Sequence, residues 1–152
     1  MTRAKRGKLA LLALIILGQI ACVIFFGMQK CGYHMDELFT YGLSNSYYKP
    51  VPDDTEQWLD SSYFRDYLET NSQDNFSYGS VYYNQTQDVH PPLYYFLLHT
   101  ICSCFPNTFT KWFGIGLNLL FLTGTSAILF FLSRLVLKSE WLALLVTAFW
   151  GF

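Results

Sequence analysis

Two stretches of the chain carry no charge: Leu9 to Met28, twenty residues, and Trp112 to Ser133, twenty-two. A helix needs roughly 20 apolar residues to cross the hydrocarbon core of a bilayer. The pattern therefore predicts transmembrane helices over 9–28 and 112–137. A third apolar run begins at Trp141 and reaches Phe152, the last residue of the sequence. It covers about half a crossing, so 141–152 is expected to be the start of a third span. The chain then reads as the front part of a longer protein.

Between the two spans, residues 29–111 mix polar and aromatic positions, and two helices are expected there. Leu59, Tyr63, Phe64, Tyr67 and Leu68 share one face at helical spacing, while Asp60 and Asp66 take the other. Asp53 followed by Glu56 has the form of a capping box, so the helix is placed near 55–70. The second helix opens at Pro91 and Pro92, because proline fits a first turn whose N–H has no intrahelical partner. His90, held extended by the following proline, is its expected N-cap. Pro106 closes it. This segment, 91–105, is too short to span a bilayer and has the length of a re-entrant or interfacial helix.

Charge placement gives these elements an orientation. Arg3, Lys5, Arg6 and Lys8 make residues 1–8 a basic tail, and positive flanks stay cytoplasmic. The 29–111 segment is then extracytoplasmic. Laying 91–105 in the outer interface sends Arg134 and Lys138 to the cytoplasm, as the same rule favours, with Lys111 counting the other way. A cleaved signal peptide is the competing reading, with "IAC" at 20–22 as a lipoprotein-like site. The apolar run continues past Cys22, so an uncleaved anchor is favoured.

Composition adjusts the picture in the outer segment. Residues 29–90 hold ten acids against Lys30, Lys49 and Arg65, a balance that by itself favours disorder. Thirteen aromatics in the same stretch argue for a packed surface instead, with a sugar-binding platform as the second reading. The four cysteines, Cys22, Cys31, Cys102 and Cys104, contain no CxxC pair, so no structural zinc site is expected. Thiols are favoured over a bridge from Cys31 to Cys102 or Cys104. No nucleic acid is expected as a partner.

Two clusters could carry chemistry. "HMDELF" places His34, Asp36 and Glu37 just beyond the first span, and "DVH" places Asp88 and His90 at the mouth of the interfacial helix. Both belong at headgroup depth, which suits chemistry on a lipid-linked phosphate. A carboxylate there can act as general base on an acceptor hydroxyl. The leaving phosphate calls for positive charge, a histidine or a metal. The plainer readings are an Asp-Glu pair on a solvated face and His90 and Asp88 as helix-end stabilisers. His99 is expected to be packed, and Arg134 to snorkel. Asn75-Phe-Ser77 and Asn84-Gln-Thr86 match the glycosylation sequon.

An N-terminal span followed by "YHMDELFTYGLS" and then "DVHPPLYYFLLH" resembles the multispan glycosyltransferases of GT-C fold. The protein O-mannosyltransferase-like and aminoarabinose transferase-like members, glycosyltransferase family 39, are the nearest in look. "KWFGIGLNLLF" is similar to the family's second span. The resemblance implies an all-α membrane protein, the N-terminal part of a multispan GT-C-like helical bundle, with an outer loop carrying juxtamembrane helices. It implies an inverting transferase that moves a sugar from a polyprenyl-phosphate donor to an acceptor glycan, lipid or protein on the outer face. Asp36 would be the catalytic carboxylate and Glu37 its partner. Asp88, His90, His34 and Tyr94 would bind substrate, and a divalent metal on Asp36, Glu37 and His90 is an option. The location implied is integral and multi-pass in a bacterial plasma membrane, with the N-terminus cytoplasmic. The competing classes are a small non-enzymatic membrane protein whose acidic, aromatic outer loop binds a partner or envelope glycan, and a lipid-linked polysaccharide ligase or polymerase.

Overall fold

The computed structural model describes residues 3–52 and 58–151. Among the described residues there are seven helices and no strand: α1 (Arg3–Gln29), α2 (Met35–Asn45), α3 (Ser61–Leu68), α4 (Tyr78–Gln85), α5 (Leu93–Cys104), α6 (Lys111–Leu137) and α7 (Glu140–Gly151). They divide into two compact units. One comprises Met1–Lys30 with Ile115–Phe152, the other Cys31–Gly114.

In the first unit, α1 and α6 are long and apolar enough to cross a membrane. Only 11% and 17% of their most apolar windows are buried. A helix in the core of a water-soluble protein would be covered far more completely, so the two helices suggest membrane association. The small core is formed by Leu12, Phe130, Ala143 and Leu144, with Ile15 and Ile16 packed against it. Beside it lies a buried polar tie. Gln19 donates through Nε2 to the Thr147 carbonyl at 2.9 Å and accepts at Oε1 from Ser126 Oγ at 2.8 Å. A lone amide among apolar helices would be costly, and here its donor and its acceptor are both used. The turn from α6 to α7 is tight, with Lys138 in the left-handed region at φ 51°.

In the second unit, α5 supplies the central buried face. Tyr95, Leu98, His99, Cys102 and Ser103 are all buried, and their spacing of three and four residues puts them on one side of the helix. The apolarity of this segment, too short for a span, is thus used to pack against α2 and α4. Leu43, Val81 and Tyr95 form the core cluster there. His99 is packed as expected, 1% exposed. Neither ring nitrogen makes a hydrogen bond of normal geometry. Burial holds its pKa below the usual imidazole value, opposed in part by the Ser44 backbone.

The C-terminal end of α2 is held by side chains. Helix ends leave carbonyls without partners, and Asn84 Nδ2 reaches both Leu43 O (3.3 Å) and Ser46 O (2.9 Å). Ser80 Oγ also donates to Ser46 O, at 2.9 Å. Asn45 ties the segment after α3, donating to Leu68 O and accepting from Thr70 Oγ1. Asn84 is fully buried, so its sequon cannot be modified in the folded unit.

Several local expectations are corrected. The N-cap of α5 is Pro92, not His90, and the helix begins at Leu93. The helix expected near 55–70 is shorter, Ser61–Leu68, and its cap is Asp60, whose carboxylate accepts from Ser62 N at 2.8 Å. These bonds hold the Asp60 carboxyl below its usual pKa. The Asp53–Glu56 capping box lies outside the described residues. Of the stripe on that helix only Tyr67 is buried, and Phe64 is 49% exposed. One local expectation holds: the four cysteines are thiols and not bridged, with Cys102 buried.

Candidate functional site

The N-terminus of α2 is built by its own sequence. His34 is the N-cap, and its Nδ1 accepts from Asp36 N at 3.2 Å. Glu37 Oε2 accepts from His34 N at 3.0 Å, completing a capping box with histidine in the place usual for serine or threonine. The two acids of "HMDELF" also sit where the positive end of the helix dipole favours them.

The "DVH" segment forms a second local arrangement. The Asp88 carboxylate accepts from Val89 N (2.8 Å), from Tyr95 Oη (2.9 Å) and from His90 Nδ1, which is 3.1 Å from both oxygens. Burial acts to raise the Asp88 pKa, but the bonds from Val89, His90 and Tyr95 outweigh it and hold the carboxyl below its usual value. Tyr95 is pushed the other way, up to about 12, by burial and by donating to Asp88. An ionised Asp88 fixes the His90 tautomer with its proton on Nδ1, leaving the Nε2 lone pair as an acceptor. The His90 side chain is 67% exposed and that of Asp88 16%.

These two arrangements meet at one cavity of about 450 Å³. Its polar lining is Asp36, Thr40, Gln87, Asp88, His90 and Tyr95; its apolar lining is Phe39, Leu43, Pro50 and Val51. Asp36 and Phe39–Thr40 come from α2, Asp88 and His90 from the turn after α4, and Tyr95 from α5. Among the described residues no lysine or arginine lines the cavity. Among the described residues the site thus offers two carboxylates, one histidine oriented by a carboxylate, and an apolar wall. That set can hold a hydroxyl-bearing group and accept a proton from it.

The other sequence-predicted residues fall elsewhere. Glu37 and His34 make the α2 cap and do not line the cavity. Tyr94 is partly buried against the Leu43–Val81–Tyr95 cluster, and Tyr95, one residue on, takes the place at the cavity. Helical spacing puts Tyr95 at the middle of the face shared by Leu98, His99 and Cys102 and puts Tyr94, four residues before Leu98, at its edge. Among the described residues no group of three or more His, Cys, Asp and Glu side chains is arranged to hold a metal ion. Of the residues named for a metal, Glu37 folds back on the helix end, where its carboxylate accepts from His34 N. No protein-family model, curated protein or solved structure matches the chain.

Proposed function

We propose that this chain is the N-terminal part of a membrane glycosyltransferase that takes a sugar from a polyprenyl-phosphate donor and uses the Cys31–Gly114 unit to receive the acceptor. The observation that carries the reading is that Asp36, Asp88 and His90, from two separate sequence motifs, line one cavity. In this proposal Asp36 is the general base on the acceptor hydroxyl, since its side chain is 88% exposed and its carboxylate is the less committed of the two. Asp88 is a positioning residue: its oxygens are engaged by three donors, and it sets the tautomer of His90. His90 Nε2 can then take a second proton and, once protonated, donate to the phosphate oxygen. The resemblance of "HMDELF" and "DVHPPLYY" to the GT-C transferases supports the choice of a lipid-linked donor. So do the two apolar helices, which suit a substrate held in a bilayer.

The test is transfer from a radiolabelled polyprenyl-phosphate sugar in membranes expressing the protein. Asp36→Asn is expected to lower the rate about a hundredfold or more, the usual scale for losing a general base, with insertion unchanged. Unaltered transfer in a normally inserted variant would sink the assignment of Asp36. A second reading is favoured by a different observation. Trp58, Tyr47, Tyr82 and Tyr83 are all exposed in the Cys31–Gly114 unit, as in a surface that binds glycan without chemistry. Glycan binding by membranes that show no transfer from any polyprenyl donor would establish it.

A further inference from the structure

The Met1–Lys30 and Ile115–Phe152 unit has a cavity of its own, about 480 Å³, unrelated to the acidic one. It is lined by Lys8, Arg134, Lys138, Ser139, Glu140 and Trp141. Three cations therefore face a single carboxylate. Glu140 is shared between two of them: Oε2 is 2.8 Å from Lys8 Nζ, and Oε1 is 3.5 Å from Arg134 Nε. Lys8 also lies 5.6 Å from the centre of the Trp141 ring. Lys138, exposed in the tight turn, pairs with no acid among the described residues. Sharing one acid holds Lys8 and Arg134 in place and leaves the group about two positive charges in excess.

The position of the cluster gives that excess a meaning. Lys8 lies where the apolar stretch of α1 begins, and Arg134 where that of α6 ends. Trp141 is 59% exposed beside them, and tryptophan favours the headgroup layer of a bilayer. Basic pockets between membrane helices bind anionic headgroups, with each lysine or arginine contributing favourably near the surface. We infer that this cavity binds the phosphate of an anionic phospholipid, with Lys8, Arg134 and Lys138 contacting the headgroup and Trp141 covering the glycerol region. The inference rests on membrane association of α1 and α6 and is independent of the transferase reading.

The experiment uses the purified full chain in nonionic detergent, with retained lipid counted by native mass spectrometry after titration with phosphatidylglycerol or phosphatidylcholine. Phosphatidylglycerol is expected to bind selectively. Lys138→Gln, which breaks none of the described ion pairs, should weaken that binding about fivefold, the scale of one interfacial charge. Arg6→Gln removes the same charge from the same end of α1 outside the cavity and should leave binding close to wild type. Equal losses in the two variants would mean diffuse attraction and overturn the site. Equal binding of both lipids would overturn it as well. Inorganic phosphate competing as well as the lipid would overturn the headgroup assignment in favour of a soluble phosphate. Co-flotation of the chain with phosphatidylcholine vesicles separates these outcomes from a failure of the membrane reading itself.

Discussion

Asp88 shows how much one side chain's role depends on its neighbours. In the sequence it is an acid two residues before a histidine and three before a proline. In the structure it is a carboxylate with three donors, one of them a tyrosine seven residues on, in α5. The Tyr95 bond is open to test. Tyr95→Phe removes one donor to a charged acceptor and should cost about 2 kcal/mol of stability. Because that bond helps keep the Asp88 pKa low, the variant's Asp88 should titrate higher, as read by carboxyl NMR shifts. The sign for stability follows. A carboxylate with a lowered folded pKa stabilises the fold above its unfolded value and loses that contribution as pH falls through the folded one. The acid limb of the wild-type stability profile should therefore be steeper than that of Tyr95→Phe. An unchanged Asp88 titration would show that the tyrosine has no hold on it.

At the scale of elements, the decisive contacts are those that let short helices pack closely. α3 has only eight residues, too few for stability on its own, and it is fixed by Tyr67. That ring lies directly over Gly42 of α2, where an added Cβ would overlap the ring carbons. Its hydroxyl donates to Pro50 O at 3.1 Å, and burial raises its pKa to about 12. Gly42→Ala gains helix propensity in α2 but must displace the ring, and overpacking of this kind costs about 1–3 kcal/mol. A lowered denaturant midpoint is expected. A rise would mean that propensity outweighs the close approach. Gln19 plays the corresponding part in the first unit, where Gly151 leaves room for its amide between α1 and α7. The periodicity of "YFRDYL" made Tyr67 an apolar-face residue, but only the packed pair shows why glycine stands at 42.

For the molecule as a whole, the two units have different physical foundations. The Met1–Lys30 and Ile115–Phe152 unit has a small core and long, uncovered apolar helices, whereas the Cys31–Gly114 unit is stitched by buried polar side chains. One of these, His99, gives the second unit a pH dependence. Its folded pKa is lowered by burial from the ordinary 6.5, so the unfolded chain takes up the proton first. Stability contributed by neutral His99 is complete above about pH 6.5 and is lost as pH falls toward the lowered folded value, by at most about 1.4 kcal/mol per pH unit. Urea unfolding followed by amide exchange in α5 should show this slope, and His99→Gln should flatten it. A slope that survives the substitution would assign it to other groups. The sequence alone determined the helical class, the two long apolar helices and the segment around 91–105, because hydrophobic runs and proline placement act locally. It did not show α2 or α4, so the capping role of His34 and Glu37 went unread, and it put the start of α5 at His90 rather than Pro92. The tertiary structure decided which of the acids and histidines share a space. Asp36 and His90 stand 54 positions apart in the sequence, and their meeting at one cavity depends on how α2 packs on α5. The same packing placed Tyr95, not Tyr94, at the cavity, and left Glu37 to the helix end. Those choices follow from the register of buried faces, which no single segment encodes.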